Sequence, residues 1–140
     1  MISEHITEAE AFKSQTATRK GIDNTTTDPE VLANMKHVAE LFEQIRANFG
    51  KPIGISSFYR SPALNKAVGG AKTSQHVKGE AIDIDADIFG GVKNSEIFAF
   101  AKTLDFDQLL WEFGDANEPA WVHISRKPIG KNRKQILTIA

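Results

Sequence analysis

The segment Ala81-Ile82-Asp83-Ile84-Asp85 sets the tightest limit on the fold, because strict alternation of apolar and acidic residues suits only a half-buried strand. A period of two sends Ile82 and Ile84 to one face and Asp83 and Asp85 to the other. The chain must therefore build a sheet with one side on an apolar core and one side carrying carboxylates. Trp121-Val122-His123-Ile124-Ser125 repeats the pattern, with Val122 and Ile124 on one face and His123 beside Trp121 and Ser125 on the other. Ile53 to Phe58, Phe106 to Glu112 and Gln135 to Ile139 are the remaining strand candidates.

Helix signals dominate the first part of the chain. Thr7 followed by Glu10 predicts a capping box and a short helix that fades before Gly21, with the polar stretch around Thr16 to Thr27 read as a loop. Asp28-Pro29 then marks an N-cap and first-turn proline, and Val31, Met35, Val38, Phe42, Ile45 and Phe49 recur at helical spacing up to Gly50. Ser61-Pro62 opens a shorter helix ending at Gly69-Gly70. After Gly90-Gly91, Ser95 is the expected cap of a helix containing Ile97, Phe98, Ala101 and Leu104. Helices first and strands later predict an α+β fold with a mainly antiparallel sheet and flanking helices. With 140 residues, one domain over 1–140 is expected, helical over about 1–50 and with its metal-binding core over about 53–125.

Composition narrows the chemistry. A net charge of -1 from 17 basic and 18 acidic residues, mixed along the chain, lacks the concentrated positive charge that nucleic acid demands. Cysteine is absent, so disulfides and thiolate metal sites are excluded and His, Asp and Glu remain as transition-metal ligands. Glu4, Glu8 and Glu10 occupy the opening where an export signal needs a basic start and an apolar run, and nowhere do about 18 apolar residues follow one another. A protein made in the cytoplasm, monomeric and without membrane insertion, is expected.

The chemical candidates converge on one face. In S-Q-H-V-K-G-E-A-I-D, Ser74 to Asp83, a histidine in a polar turn and an aspartate on the following strand can meet because the chain doubles back between them. His123 supplies a third ligand from its own strand. Two imidazoles and a carboxylate make a common catalytic zinc set, leaving the fourth tetrahedral position for water. Such an ion lowers the pKa of bound water to about 7, but the leaving amine still needs a proton carrier. Glu112, at the end of the strand F-D-Q-L-L-W-E, is the candidate, with Glu118 as the alternative.

These segments resemble the zinc D-alanyl-D-alanine carboxypeptidases and their relatives, among them phage L-alanyl-D-glutamate endolysins and the hedgehog signalling domain. The pattern S-x-H-x-x-G-x-A-x-D is matched at Ser74, His76, Gly79, Ala81 and Asp83, and the later strand histidine at His123. The resemblance runs over roughly Ile2 to Ser125, and S-E-H-I-T before a short helix is similar to the opening of small phage or prophage peptidases. It implies one Zn²⁺ held by His76, Asp83 and His123, and a substrate-binding role for Arg60 in S-S-F-Y-R-S. F-D-x-x-x-x-E, Phe106 to Glu112, is similar to the strand of hedgehog-type relatives whose glutamate approaches the metal. Some relatives instead carry an acid three residues before the last histidine, where Ala120 stands here. Trp121 occupies the first position of the H-x-H found in many relatives, and is expected to line the substrate cleft.

Ser74 is either a substrate contact or a cap of the turn before His76; Asp85 either orients a ligand histidine or faces water. His5 and His37 have no assigned role, and the Lys131 to Lys134 cluster, Arg133 included, reads as a solvated turn. The expected function is hydrolysis of peptidoglycan stem peptides, at D-Ala-D-Ala or at L-Ala-D-Glu, by a phage endolysin or wall carboxypeptidase acting after release. The alternative is a zinc-stabilised module of the same fold that binds wall or protein without cutting.

Overall fold

Thr7 Oγ1 accepts from the Glu10 N–H and the Glu10 carboxylate accepts from the Thr7 N–H, both at 3.1 Å, and this capping box starts α1 (Glu8–Phe12). The computed structural model describes residues 1–128 and 130–140. A second short helix follows, α2 (Gln15–Lys20), where the sequence predicts loop. Its only apolar side chain of any kind is Ala17, so it has no periodicity to read. It is framed instead by its ends, Ser14 accepting from the Ala17 N–H at 3.1 Å and Gly21 closing it at φ 67°.

The long helix α3 (Pro29–Phe49) begins and ends as its caps predict, with Asp28 accepting from the Glu30 N–H and Gly50 at φ 63°. Met35, Val38, Leu41, Phe42 and Ile45 form its buried stripe. β1 (Gly54–Ser57) leads into α4 (Pro62–Ala67), capped by Ser61. β2 (Ala81–Asp85) runs into a single 3-10 turn, Ala86–Ile88, before α5 (Asn94–Ala101). Ser95 lies inside α5 rather than at its cap, which is Lys93, because its N–H and hydroxyl both donate to the Glu118 carboxylate at 2.8 and 2.5 Å. β3 (Gln108–Glu112), β4 (Trp121–Ser125) and β5 (Gln135–Ile139) complete the chain.

The five strands make one sheet in the order β1-β2-β4-β3-β5, antiparallel except for the parallel pair β3 and β5. Ile82, Ile84, Leu109, Val122 and Ile124 face the stripe of α3 and the Ile97 and Ala101 side of α5, and are buried. Residues directly opposite across strands share a face, so the register Ser57↔Asp83, Asp83↔His123, Leu110↔His123 and Glu112↔Trp121 gathers the chemical side chains on the other face. The architecture is the α+β domain with a mainly antiparallel sheet that the strand and helix patterns imply. No helix among the described residues is long and apolar enough to cross a membrane.

Gly79 joins the layers. It sits at φ +74°, and a Cβ there would come within 2.7 Å of Met35 Cγ and 2.8 Å of the Val31 carbonyl oxygen. Both the backbone conformation and the approach to α3 therefore require glycine. Gly79→Ala is expected to destabilise the domain by about 1–3 kcal/mol in denaturant unfolding; an unchanged midpoint would contradict this.

Candidate metal centre

The Ser74 to Gly79 turn is wound by its own backbone. The Val77 N–H donates to Ser74 O, the Gly79 N–H to His76 O and the Glu80 N–H to Gln75 O. Ser74 Oγ accepts from the His76 N–H at 3.3 Å, so this hydroxyl caps the turn, and Asn34 of α3 donates to Lys78 O at 3.0 Å. His76 is thereby turned inward, 3 % exposed. Its Nδ1 lies 2.7 Å from Phe58 O. A carbonyl only accepts, so Nδ1 carries the proton and the Nε2 lone pair points at Asp83 Oδ2, 3.3 Å away.

Asp83 and His123 face each other on β2 and β4, each 7 % exposed, with His123 Nδ1 2.9 Å from Asp83 Oδ1. The two imidazole rings meet edge to face at 5.2 Å between centroids. One ligand atom from each of His76, Asp83 and His123 lies within 4.8 Å of the others. Ligand atoms arranged tetrahedrally about a zinc ion stand about 3.3 Å apart, close to the 2.9 and 3.3 Å seen here. A lone pair of His76 and the Asp83 carboxylate, both acceptors, are turned towards one another in a dry pocket, and a cation between them satisfies both. The donor set fits a divalent metal. Burial alone would raise the Asp83 carboxyl, but whenever the two imidazoles are protonated the charge of His76 and hydrogen bonds from both rings override it and hold the group well below the usual carboxylate range.

Glu112 lies on the same face, directly opposite Trp121 and hence diagonal to His123, a step of about 7–8 Å between backbones. Its carboxylate is half-buried and accepts from the Trp121 indole N–H. Burial, followed by the negative charge of Asp83, raises its pKa, against the opposing pull of His123, Trp121 and His76. A carboxyl made reluctant to lose its proton beside a ligand cluster has the character of an acid-base group. Glu118 is placed differently, both its oxygens taken up by Ser95 at the start of α5.

Arg60 is brought to the cluster by its backbone, its N–H donating to His76 O at 3.2 Å while its Nη1 rests 3.3 Å from Asn65 Oδ1. With Trp121, Tyr59, Ser57, Asp85 and Lys13 it lines a cleft of about 750 Å³. Asp85 neither touches a ligand histidine nor simply faces water, because its Oδ1 accepts from Asn94 Nδ2 at 3.1 Å and from the Asp87 N–H at 3.0 Å, bracing the turn after β2. His5 is paired with Glu43 at 2.6 Å near the surface, and His37 offers its carbonyl to Arg126.

Lys131, Arg133 and Lys134 are exposed, as the reading of their segment as a solvated turn has it, but Arg133 is tied to the domain. Arg133 donates from Nε and Nη2 to the fully buried Asp107 carboxylate at 2.9 and 2.8 Å, and its backbone N–H adds a third bond at 3.0 Å. Asp107 sits within the F-D-x-x-x-x-E segment, yet nothing in the sequence marks its partner 26 residues on. Gln75 also went unassigned: its Oε1 is 3.0 Å from His123 Nε2. Its position inside the Ser74 to Asp83 motif was the available signal.

Residues 4–125 match the family model described as Peptidase M15. No curated protein matches the chain.

Proposed function

Because the chain belongs to the peptidase M15 family of metal-dependent peptidases, we propose that it is a zinc peptidase that hydrolyses peptidoglycan stem peptides, with His76, Asp83 and His123 as metal ligands and Glu112 as acid-base residue. The observation that carries this reading is the buried convergence of a fixed histidine lone pair, a carboxylate and a second imidazole on one sheet face. Zinc bound there supplies Lewis-acid polarisation of a peptide carbonyl and acidifies water at neutral pH. Glu112 takes the proton of the attacking water and returns it to the departing amine, for which a carboxyl with a raised pKa is suited. The Trp121 indole N–H fixes the orientation of that carboxylate. Arg60, anchored through its backbone to the His76 turn, holds a substrate carboxylate or carbonyl through its planar fork. Trp121 forms a wall of the cleft, and Ser74 retains a hydroxyl hydrogen to offer to substrate.

A phage or prophage endolysin that reaches the wall after release is the setting that agrees with the S-E-H-I-T opening. The test is incubation of the purified, zinc-loaded chain with intact peptidoglycan, followed by mass analysis of the soluble fraction. Release of fragments is expected, their masses assigning the bond as D-Ala-D-Ala or L-Ala-D-Glu. Protein that sediments with the wall and releases nothing would overturn the peptidase reading in favour of a binding module.

A further inference from the structure

Gln75 lies between the metal cluster and a buried ion pair that the reaction itself does not use. Its Oε1 is 3.0 Å from His123 Nε2, and its Nε2 is 3.5 Å from Asp107 Oδ2. Asp107 is fully buried, bound by the Arg133 fork and backbone N–H, with Lys127 Nζ a further 3.8 Å from its Oδ1. A carboxylate gripped by a guanidinium only accepts hydrogen bonds. The Gln75 edge turned to it must therefore be the amide NH₂, since the flipped amide would set its oxygen against that of a fully buried carboxylate. The Gln75 oxygen then faces His123 Nε2 and can only accept, while His123 Nδ1 lies 2.9 Å from Asp83 Oδ1 on the other side of the ring. A cation held between Nδ1 and Asp83 would take the Nδ1 lone pair, leaving the ring proton on Nε2 to be donated to Gln75.

We propose that Gln75 is a positioning residue for the metal centre, its amide oriented by the Asp107–Arg133 pair so that it fixes the tautomer and ring angle of His123. The inference rests on the metallopeptidase reading, since the His123 tautomer it describes is that of the metal-loaded site. His76 is set by a backbone carbonyl, which no side-chain change removes. His123 is set by a chain of three side chains ending at Arg133, in the segment just before β5. The edge of the sheet is thus coupled to the ligand geometry at its centre. Outer partners of ligating histidines act in this way, and their removal commonly costs about 10–100-fold in metal affinity.

The test uses the full chain and its Gln75→Leu variant, which keeps the volume and removes both hydrogen-bonding groups. Long-range nitrogen-proton NMR of the zinc-loaded proteins reports which His123 nitrogen is protonated. Zinc affinity is read by competition with a chromophoric chelator. In the unaltered protein the proton is expected on Nε2. In Gln75→Leu the Nε2–H proton is expected to lose its hydrogen-bonded shift and exchange faster with water, with zinc affinity about 10–100-fold lower and the His76 signals unchanged. A proton on Nδ1 of His123 in the unaltered protein overturns the proposal even if the variant fails to fold. An unchanged affinity in the variant, or a lower affinity with an unchanged His123 Nε2–H signal, overturns it as well. An unaltered protein that takes up no zinc defeats both the metallopeptidase reading and this proposal, whereas zinc bound with equal affinity by both proteins defeats the proposal alone.

Discussion

Glu112→Gln is expected to lower kcat on a peptidoglycan stem peptide by about 10²–10⁴-fold, the usual contribution of a positioned acid-base group, while zinc remains bound one per chain. The amide has the shape of the carboxylate and keeps an oxygen for the Trp121 indole N–H, so the end of β3 and its pairing with β4 are retained. What is lost is the ability to take up and return a proton. Glu112 is absent from the group of side chains whose ligand atoms lie within 4.8 Å of one another, which is why metal content should not follow activity in this variant. Product quantification by chromatography, alongside metal analysis of the same preparation, checks both halves. Activity within a few-fold of the unaltered protein would remove Glu112 from the mechanism.

Asp83→Asn is expected to take away both metal and activity. The change removes the only formal negative charge of the ligand set and replaces one carboxylate oxygen with an NH₂ that faces the imidazoles as a donor. Zinc affinity should fall by more than the roughly 10–100-fold cost of losing an outer partner, because here a ligand itself is altered. Excess zinc should restore activity to chelator-treated unaltered protein and not to this variant. Zinc retained at full stoichiometry in Asp83→Asn would mean that the ion is held elsewhere.

Those two experiments separate parts of the site that differ in how visible they were before folding. Strand periodicity alone placed Asp83 and His123 on the polar faces of β2 and β4, and the register then set them opposite each other. His76 was legible as part of a motif, but its orientation depends on Phe58 O, 18 residues earlier, a contact with no sequence signature. The glycine of the same motif is explained by its φ of +74° and by the close approach of α3, neither of which composition and spacing encode. α2 leaves no periodic signal because a helix of polar residues around one alanine is stabilised by its caps and by one small buried contact, not by an apolar stripe.

The polar supports were the least visible. Asp107, Arg133 and Gln75 meet across 26 and 32 residues of chain, and each taken alone is an ordinary surface residue type. Asp85 and Glu118 were visible as acidic residues near the site, but their uses, bracing the turn after β2 and tying down the start of α5, follow from tertiary placement. Residue type and period identify which groups could do chemistry. Which of them meet is decided by strand register and by backbone carbonyls.

The most direct test is crystallographic. Crystals of the chain grown with zinc, measured above and below the zinc absorption edge, should show one strong anomalous peak per chain within bonding distance of His76 Nε2, an Asp83 carboxylate oxygen and His123 Nδ1. A peak bonded through His123 Nε2, a peak at another site, or none at those three atoms would contradict the account.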